Sequence, residues 1–426
     1  MAEQLYFSRD SKCYIEFDSV VWEVPVLDGF SFSQANNSSE ITLSEMESSG
    51  GVSRRGRRAF NDSLAPGEWS ISTYVRPFTS AGSGTGAADG AAEVHAVEEV
   101  LWALMAGADN YDGTTYDFDR GGSNVITPAG SSSVVSFDQS NKSTLGTANI
   151  YFVLGDSSRS VIKLKDAVVN EASVDFEIDG IATINWSGQC SEVIDFTGST
   201  HEDNTLPANG DTTQDGSTIA VGDVWLDAND SHRLYVMTNV GTGTEAATSY
   251  VNEKITETSN FIRNRLTTLT ITPTTQDPDG DSVNELQSSY NLTLTGGNIT
   301  ISNNITYITP EELGIVNVPV GHVTGGRAVS GSFTCYLTRD TSTFDSNLSR
   351  DFFEDLRNIS NVVTNSFALV FKIGGGSGNR LEFNCATAHI EIPTHSIEDV
   401  ISLETNFMAL PQTIDDTDEV VLTYKV

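Results

Sequence analysis

Ser70-Ile71-Ser72-Thr73-Tyr74-Val75 and Ser332-Phe333-Thr334-Cys335-Tyr336-Leu337 are the two stretches on which the fold turns. Each alternates small polar residues with apolar ones at the period of two that sends successive side chains to opposite faces of a strand. Each also keeps its place in a longer order. Upstream, Phe30-Ser31-Phe32-Ser33 followed by Asn36-Asn37 matches Ile299-Thr300-Ile301-Ser302 followed by Asn303-Asn304, and Ile41-Thr42 matches Ile308-Thr309. A long Gly- and Arg-bearing loop follows in both halves, over Ser44–Pro66 and Thr309–Arg327. Downstream, Val94, Val97, Leu101, Leu104 and Met105 predict a helix over Glu93–Ala106 closed by Gly107, and Leu348, Phe352, Phe353 and Leu356 predict one over Asn347–Asn358. Strand Ile150–Leu154 then matches Phe367–Ile373, and Asn185-Trp186 matches Asn406-Phe407 in a hairpin-like ending. Matches that recur in one order indicate an internal repeat.

The expected fold is therefore mainly β: two tandem β-sandwich or barrel domains, each with one flanking α-helix. They span residues 1–195 and 256–426, with an inserted region over 196–255. Within the insert, Val221–Leu226 and Arg233–Met237, joined by Asp227–His232, read as a β-hairpin. A lone hairpin is marginal, so it either packs on a larger domain or forms a small surface module. Lys254–Arg265 reads as a short helix leading into the second copy. At 426 residues the chain is long enough for two or three ordinary domains.

Charge narrows the function. The chain carries 58 Asp and Glu against 23 Lys and Arg, a formal net charge of -35, which repels phosphate and argues against a general nucleic-acid binder. Four cysteines, Cys13, Cys190, Cys335 and Cys385, lie far apart without CxxC spacing and read as reduced, packed thiols. The beginning Met1–Phe17 has no basic stretch followed by an apolar run, and no segment approaches the roughly 18 apolar residues of a membrane span. A soluble protein made in a cytoplasm is expected.

Catalytic patterns are thin. The six histidines form no HExxH or His-x-His pairing, no Ser sits in a G-x-S-x-G elbow, and Gly374–Gly378 reads as a turn between strands. Asp277-Pro278-Asp279-Gly280-Asp281 could converge carboxylates on calcium. Ser282 and Ser288 stand where an EF-hand loop needs Gly and Glu, so an acidic solvated turn is the better reading. Carboxylate pairs such as Glu98-Glu99 and Asp415-Asp416 follow from composition. No catalytic, cofactor or metal residue is assigned. Arg54-Arg55-Gly56-Arg57-Arg58 is the one basic cluster; it is either a phosphate-binding arm or, as favoured here, an interface loop meeting carboxylates of a neighbouring copy.

Taken together, three groups of residues resemble the phage tail tube proteins. These are Ser53–Arg58 with Phe60–Pro66 leading into Trp69–Val75; Asp175–Gly188; and Tyr307–Gly314 with Gly325–Gly331. The resemblance covers roughly residues 20–195 and 260–412. It implies a non-enzymatic virion subunit whose sheet joins those of its neighbours into a ring. Single-domain members form hexamers, so a fused double copy implies a homotrimer with pseudo-sixfold symmetry. The long loops would reach an adjacent ring, making Glu45, Glu47, Arg54, Arg55, Arg57, Arg58, Glu311, Glu312 and Arg327 the expected interface residues. Rings would stack into a tube in the virion tail, with other tail proteins as partners and no membrane binding by this chain. DNA would pass transiently and without specificity along an acidic lumen during ejection into the host. The Asp195–Tyr250 insertion departs from the family pattern. The alternatives are another tandem-β virion protein (tail-tip, fibre or capsid-decorating) with a binding role and, last, an enzyme using paired carboxylates.

Overall fold

The alternating stretches become strands in a computed structural model, which describes the chain except for residues 1–4, 43–56, 81–91, 114, 138–143, 241–248, 251–259, 278–285, 313–316, 342–346, 359–365, 398 and 414–415. The first half contributes β1 (Ser11–Phe17), β2 (Val20–Glu23), β3 (Ser31–Ser33), β4 (Gly67–Tyr74), α1 (Glu99–Ala106), β5 (Ala148–Leu154), β6 (Ser160–Glu177) and β7 (Thr183–Cys190). The second contributes β8 (Thr268–Pro273), β9 (Tyr290–Leu292), β10 (Leu294–Ser302), β11 (Ala328–Tyr336), α2 (Ser349–Asn358), β12 (Phe367–Ile373), β13 (Arg380–Ile390), β14 (Thr394–Ile397), β15 (Ile401–Ala409) and β16 (Val421–Lys425).

Hydrogen-bonded neighbours recur in the same order. The first half reads β2–β1–β5–β6–β7–β4–β3 and the second β9–β8–β12–β13–β15–β11–β10, every pair antiparallel. A register shift falls at the same place in both, between Ala148 and Ile150 and between Phe367 and Leu369. Just beyond the quoted stretches, Val75 N–H donates to Ala182 O at 3.0 Å and Leu337 N–H donates to Ile401 O at 2.9 Å.

With Ser70 set against Ser332, two of the sequence matches are displaced by two residues. Ser31 pairs with Ser70 and Asn298 with Ser332, so Phe32 corresponds to Ile299. Ser70 faces Ser187 while Ser332 faces Asn406, so Asn406-Phe407 corresponds to Ser187-Gly188. A slip of two leaves every side chain on its own face, so the alternation alone could not detect it. The corrected register puts Trp69 opposite Gly188 in one half and Phe407 opposite Gly331 in the other: one cross-strand aromatic–glycine pair with its members exchanged.

The sheets form sandwich layers and are not closed into barrels. Phe30 and Phe32 stack on Phe152 of β5 with centroids 5.0 and 5.2 Å apart, and Phe371 of β12 meets Phe407 of β15 at 5.3 Å. β6 serves both layers of its half, pairing with β5 as far as Ala167 and from Val168 onward with β7, a bulge at Val169–Glu171 interrupting the second pairing. Its distal part also pairs with β10, from Glu171 opposite Ser302 to Glu177 opposite Gly296, which makes the two halves one sheet. β16 ties them again, pairing with β13 on one side and with Ser133–Ser136 of the first half on the other.

The first helix is shorter than expected, while the second stands at Ser349–Asn358, within two residues of expectation. Val94–Ala96 is a strand paired with Pro77–Thr79, so α1 begins only at Glu99; it ends at Gly107, whose φ of 91° is left-handed. All residues of α1 are buried, and Trp102 meets Trp186 at 4.7 Å and Phe383 at 6.4 Å. A helix apolar on almost every side belongs in the interior, and α1, packed on the strands of the first half, also reaches Phe383 and Tyr424 of the second. α2 is amphipathic, with Phe352 buried 5.1 Å from Tyr290.

The expected hairpin, Val224–Asp227 with Arg233–Val236, gains a third, parallel strand, Thr200–Asp203. Val224, Leu226, Leu234 and Val236 bury against Tyr14, Tyr151 and Val153 of β1 and β5, so the insert docks on that layer. Of the helix expected over Lys254–Arg265, residues 254–259 lie outside the described set. The rest holds only the first two residues of a single 3-10 turn at Asn264–Leu266.

Candidate functional site: a polar sheet face with two open edges

One face of the strand series β4–β7–β6–β10–β11–β15 packs the core; the other is bare. Alternation puts Ile71, Trp186, Ala172, Val174, Ile299, Ile301, Phe333 and Phe407 inward. It puts Ser70, Ser72, Asn185, Ser187, Ser173, Asp175, Thr300, Ser332, Glu404 and Asn406 outward. The outward side chains link laterally: Ser72 donates to Asn185 at 2.7 Å, Asn185 to Asp175 at 2.9 Å, and Thr300 to Ser173 at 3.1 Å. In the second half Ser332 donates to Asn298 at 3.0 Å and Asn406 to Glu391 at 2.9 Å.

Every charged group these strands present on that face is acidic: Glu68, Glu171, Asp175, Glu177 and Glu404. Partial burial raises the Asp175 carboxyl above its ordinary range, Asn185 opposes that shift, and Glu177 adds to it. The segment Glu171-Ala172-Ser173-Val174-Asp175-Phe176-Glu177 carries the clearest signal of this face in the sequence, acids and Ser at odd positions and apolar residues at even ones.

The series ends in two strands paired on one side only among the described residues, β3 (with β4) and β14 (with β15). All residues of β14 are exposed, its Ile397 78%, and beside it Ile392, Val400 and Ile401 are 57%, 58% and 38% exposed. Unpaired backbone beside bare aliphatic side chains invites another chain.

The long loops are partly strands. Asn36–Thr42 pairs with Arg57–Leu64, and Thr306–Ile308 with Gly321–Val323. A parallel bridge between Ser63 and Asn317 brings the two ribbons together. Of the predicted interface residues, Glu45, Glu47, Arg54 and Arg55 lie outside the described residues. Arg57 and Arg58 are exposed, with Arg57 3.3 Å from Glu40 in the same ribbon, and Glu311 and Glu312 are exposed on the second. Arg327 is different: its side chain is sequestered, 2.5 Å from Glu419, donating to Thr417 O at 2.8 Å and lying over the Phe137 ring.

The Glu98-Glu99 pair is buried and structural. Tyr424 donates to Glu98 at 2.7 Å, Trp102 donates to Tyr424 at 2.6 Å, and burial raises Glu98 to about 7. Glu99 lies 3.0 Å from buried His95. The four cysteines are free and buried, and burial raises each thiol. Among the described residues no His, Cys, Asp and Glu cluster could hold a metal; most of the Asp277–Asp281 motif lies outside them. Among the described residues no helix is long and apolar enough to cross a membrane.

No protein-family model matches the chain. Over 402 residues it is 29% identical to "Tail tube protein pb6" of Escherichia phage T5, a match covering 93% of this chain and 69% of that protein.

Proposed function

We propose that this chain, a phage tail tube protein and so a structural component of the virion tail, closes into rings that stack as a conduit for DNA. The observation that carries the reading is the β6–β10 junction. It joins one repeat to the next within the chain, and the same junction, applied again, joins one chain to the next. β14 occupies in the second repeat the place of distal β6, and β3 occupies in the first the place of β10. Ser396, His395 and Thr394 of one copy would then face Ser31, Phe32 and Ser33 of the next. Head-to-tail pairing of this kind removes both open edges at once. The family's single-domain hexamers support three copies of a double repeat per ring, with residues 1–195 and 256–426 as the repeated units and 196–255 as an external decoration.

Only the polar face is free to line the bore, because the opposite face of the sheet is covered by the second layer. Glu171, Asp175, Glu177 and Glu404 would repel phosphate there, leaving DNA hydrated and mobile during ejection. Contacts between rings fall to the two joined ribbons, with Arg57, Arg58, Glu311 and Glu312 as described candidates and Glu45, Glu47, Arg54 and Arg55 beside them. Arg327 acts instead within the subunit.

Electron microscopy of the purified chain tests the assembly: stacked rings are expected, and isolated monomers at high concentration refute it. Replacing Asp175 and Glu177 with Lys tests the bore. Tubes should form with DNA release slowed, and unchanged release would remove these acids from the lumen.

A further inference from the structure

Inside the chain the junction between repeats has a second component. The segment Phe261–Arg263, just ahead of β8, lies across the turn between β6 and β7. Ala182 N–H donates to Ile262 O at 2.9 Å, Asn264 N–H donates to Gly180 O at 3.2 Å, and Ile181 bridges Arg263 in antiparallel fashion. Tyr74 packs edge-on against Phe261 at 5.1 Å.

The corresponding connection of the second repeat, between β14 and β15, has no such cover among the described residues. Ala182 corresponds to Ile401, since they accept from Val75 and Leu337 respectively, and Ile181 therefore corresponds to Val400. Val400 is 58% exposed and Ile397 78%.

What corresponds to the covering segment is the stretch ahead of β1. A 3-10 turn precedes β1 at Ser8–Asp10 and β8 at Asn264–Leu266, making Leu5-Tyr6-Phe7 the counterpart of Phe261-Ile262-Arg263. Glycine geometry supports the match independently. Gly155 and Gly374 follow β5 and β12 with φ of 90° and 104°, and a Cβ on each would fall 2.8 Å from Tyr6 and Ile262 respectively. Leu5, Tyr6 and Phe7 are nonetheless 76%, 45% and 52% exposed: Tyr6 is anchored to Ser160 by a 2.8 Å hydrogen bond, yet among the described residues the segment covers no turn of its own chain.

We infer that Leu5–Phe7 of one copy clasps Ile397, Val400 and Ile401 of the neighbouring copy, as Phe261–Arg263 clasps the Ile178–Ala182 turn within the chain. The clasp rests on the ring reading above and adds to it a second, non-sheet contact between copies. Ile401 N–H donates to Tyr6 O of the neighbour, and Phe7 bridges Val400. Burying two exposed apolar groups against each other also removes a sticky patch from each end of the subunit.

Two measurements test it. Bridged antiparallel residues lie within disulfide reach, so Phe7→Cys with Val400→Cys in one chain should, on oxidation of assembled material, give a covalent ladder ending at the ring size, absent from either single variant. Wild-type chain covers the case in which the double variant does not assemble. Amide exchange at Ile401 should slow about tenfold between monomer and tube, the effect of one added hydrogen bond. Tubes visible by microscopy without cross-link or protection overturn the clasp alone. Failure of the wild type to form rings overturns the ring reading and the clasp with it.

Discussion

Glu98→Gln should flatten the pH dependence of stability between about pH 4.5 and 7. Glu98 is fully buried beside Trp102 and Tyr424, and desolvation lifts its carboxyl from 4.5 to about 7 despite the hydrogen bond from Tyr424. The folded chain thus holds this proton to higher pH than the unfolded chain. Unfolding releases it in that window, so the stabilisation is complete below about 4.5 and is lost as pH rises through 7. At 1.36 kcal/mol per unit, the loss is roughly 3 kcal/mol. Glutamine stays neutral and removes this contribution at every pH. The assay is denaturant unfolding of unassembled wild type and variant at pH 5 and pH 8, read by fluorescence, since Trp102 and Trp186 report on this core. Wild type should lose about 2.5 kcal/mol more than the variant between pH 5 and pH 8, since at pH 5 the unfolded chain has already begun to release this proton. Equal losses in the two proteins would refute the assignment of a proton to buried Glu98.

Gly188→Ala places a Cβ 2.0 Å from Val168 O and 2.5 Å from the Trp69 ring, so it should destabilise by about 1–3 kcal/mol or more, measured as a fall in denaturation midpoint. His322 accepts the Leu145 N–H at Nε2 at 2.9 Å, and burial lowers its pKa below 6.5. Its stabilisation is present above that value and lost as pH falls through the depressed folded pKa; in His322→Gln the acid-side loss should shrink.

Alternation of side chains made the strands, the polar face and the repeat legible in the sequence, because a period of two is a local property of the backbone. Ser70–Val75 and Ser332–Leu337 could be set residue against residue from their pattern. The same periodicity hid the two-residue slips at Phe32 and Phe407, which leave inside and outside unchanged. It also misled at Val94: the apolar spacing of Val94 and Val97 fits a helix, but pairing with Pro77–Thr79 prevails until Glu99.

Composition determined that the chain is acidic and strand-rich, and order determined that it is doubled. Tertiary structure decided which acids share a face, that Arg327 is enclosed while Arg57 is exposed, and that the halves share one sheet through β6 and β10. It also decided which edges and which turn are left uncovered. These are facts about pairing between residues far apart in the chain. A local pattern sets which way a side chain points, but only the folded chain sets what lies opposite it.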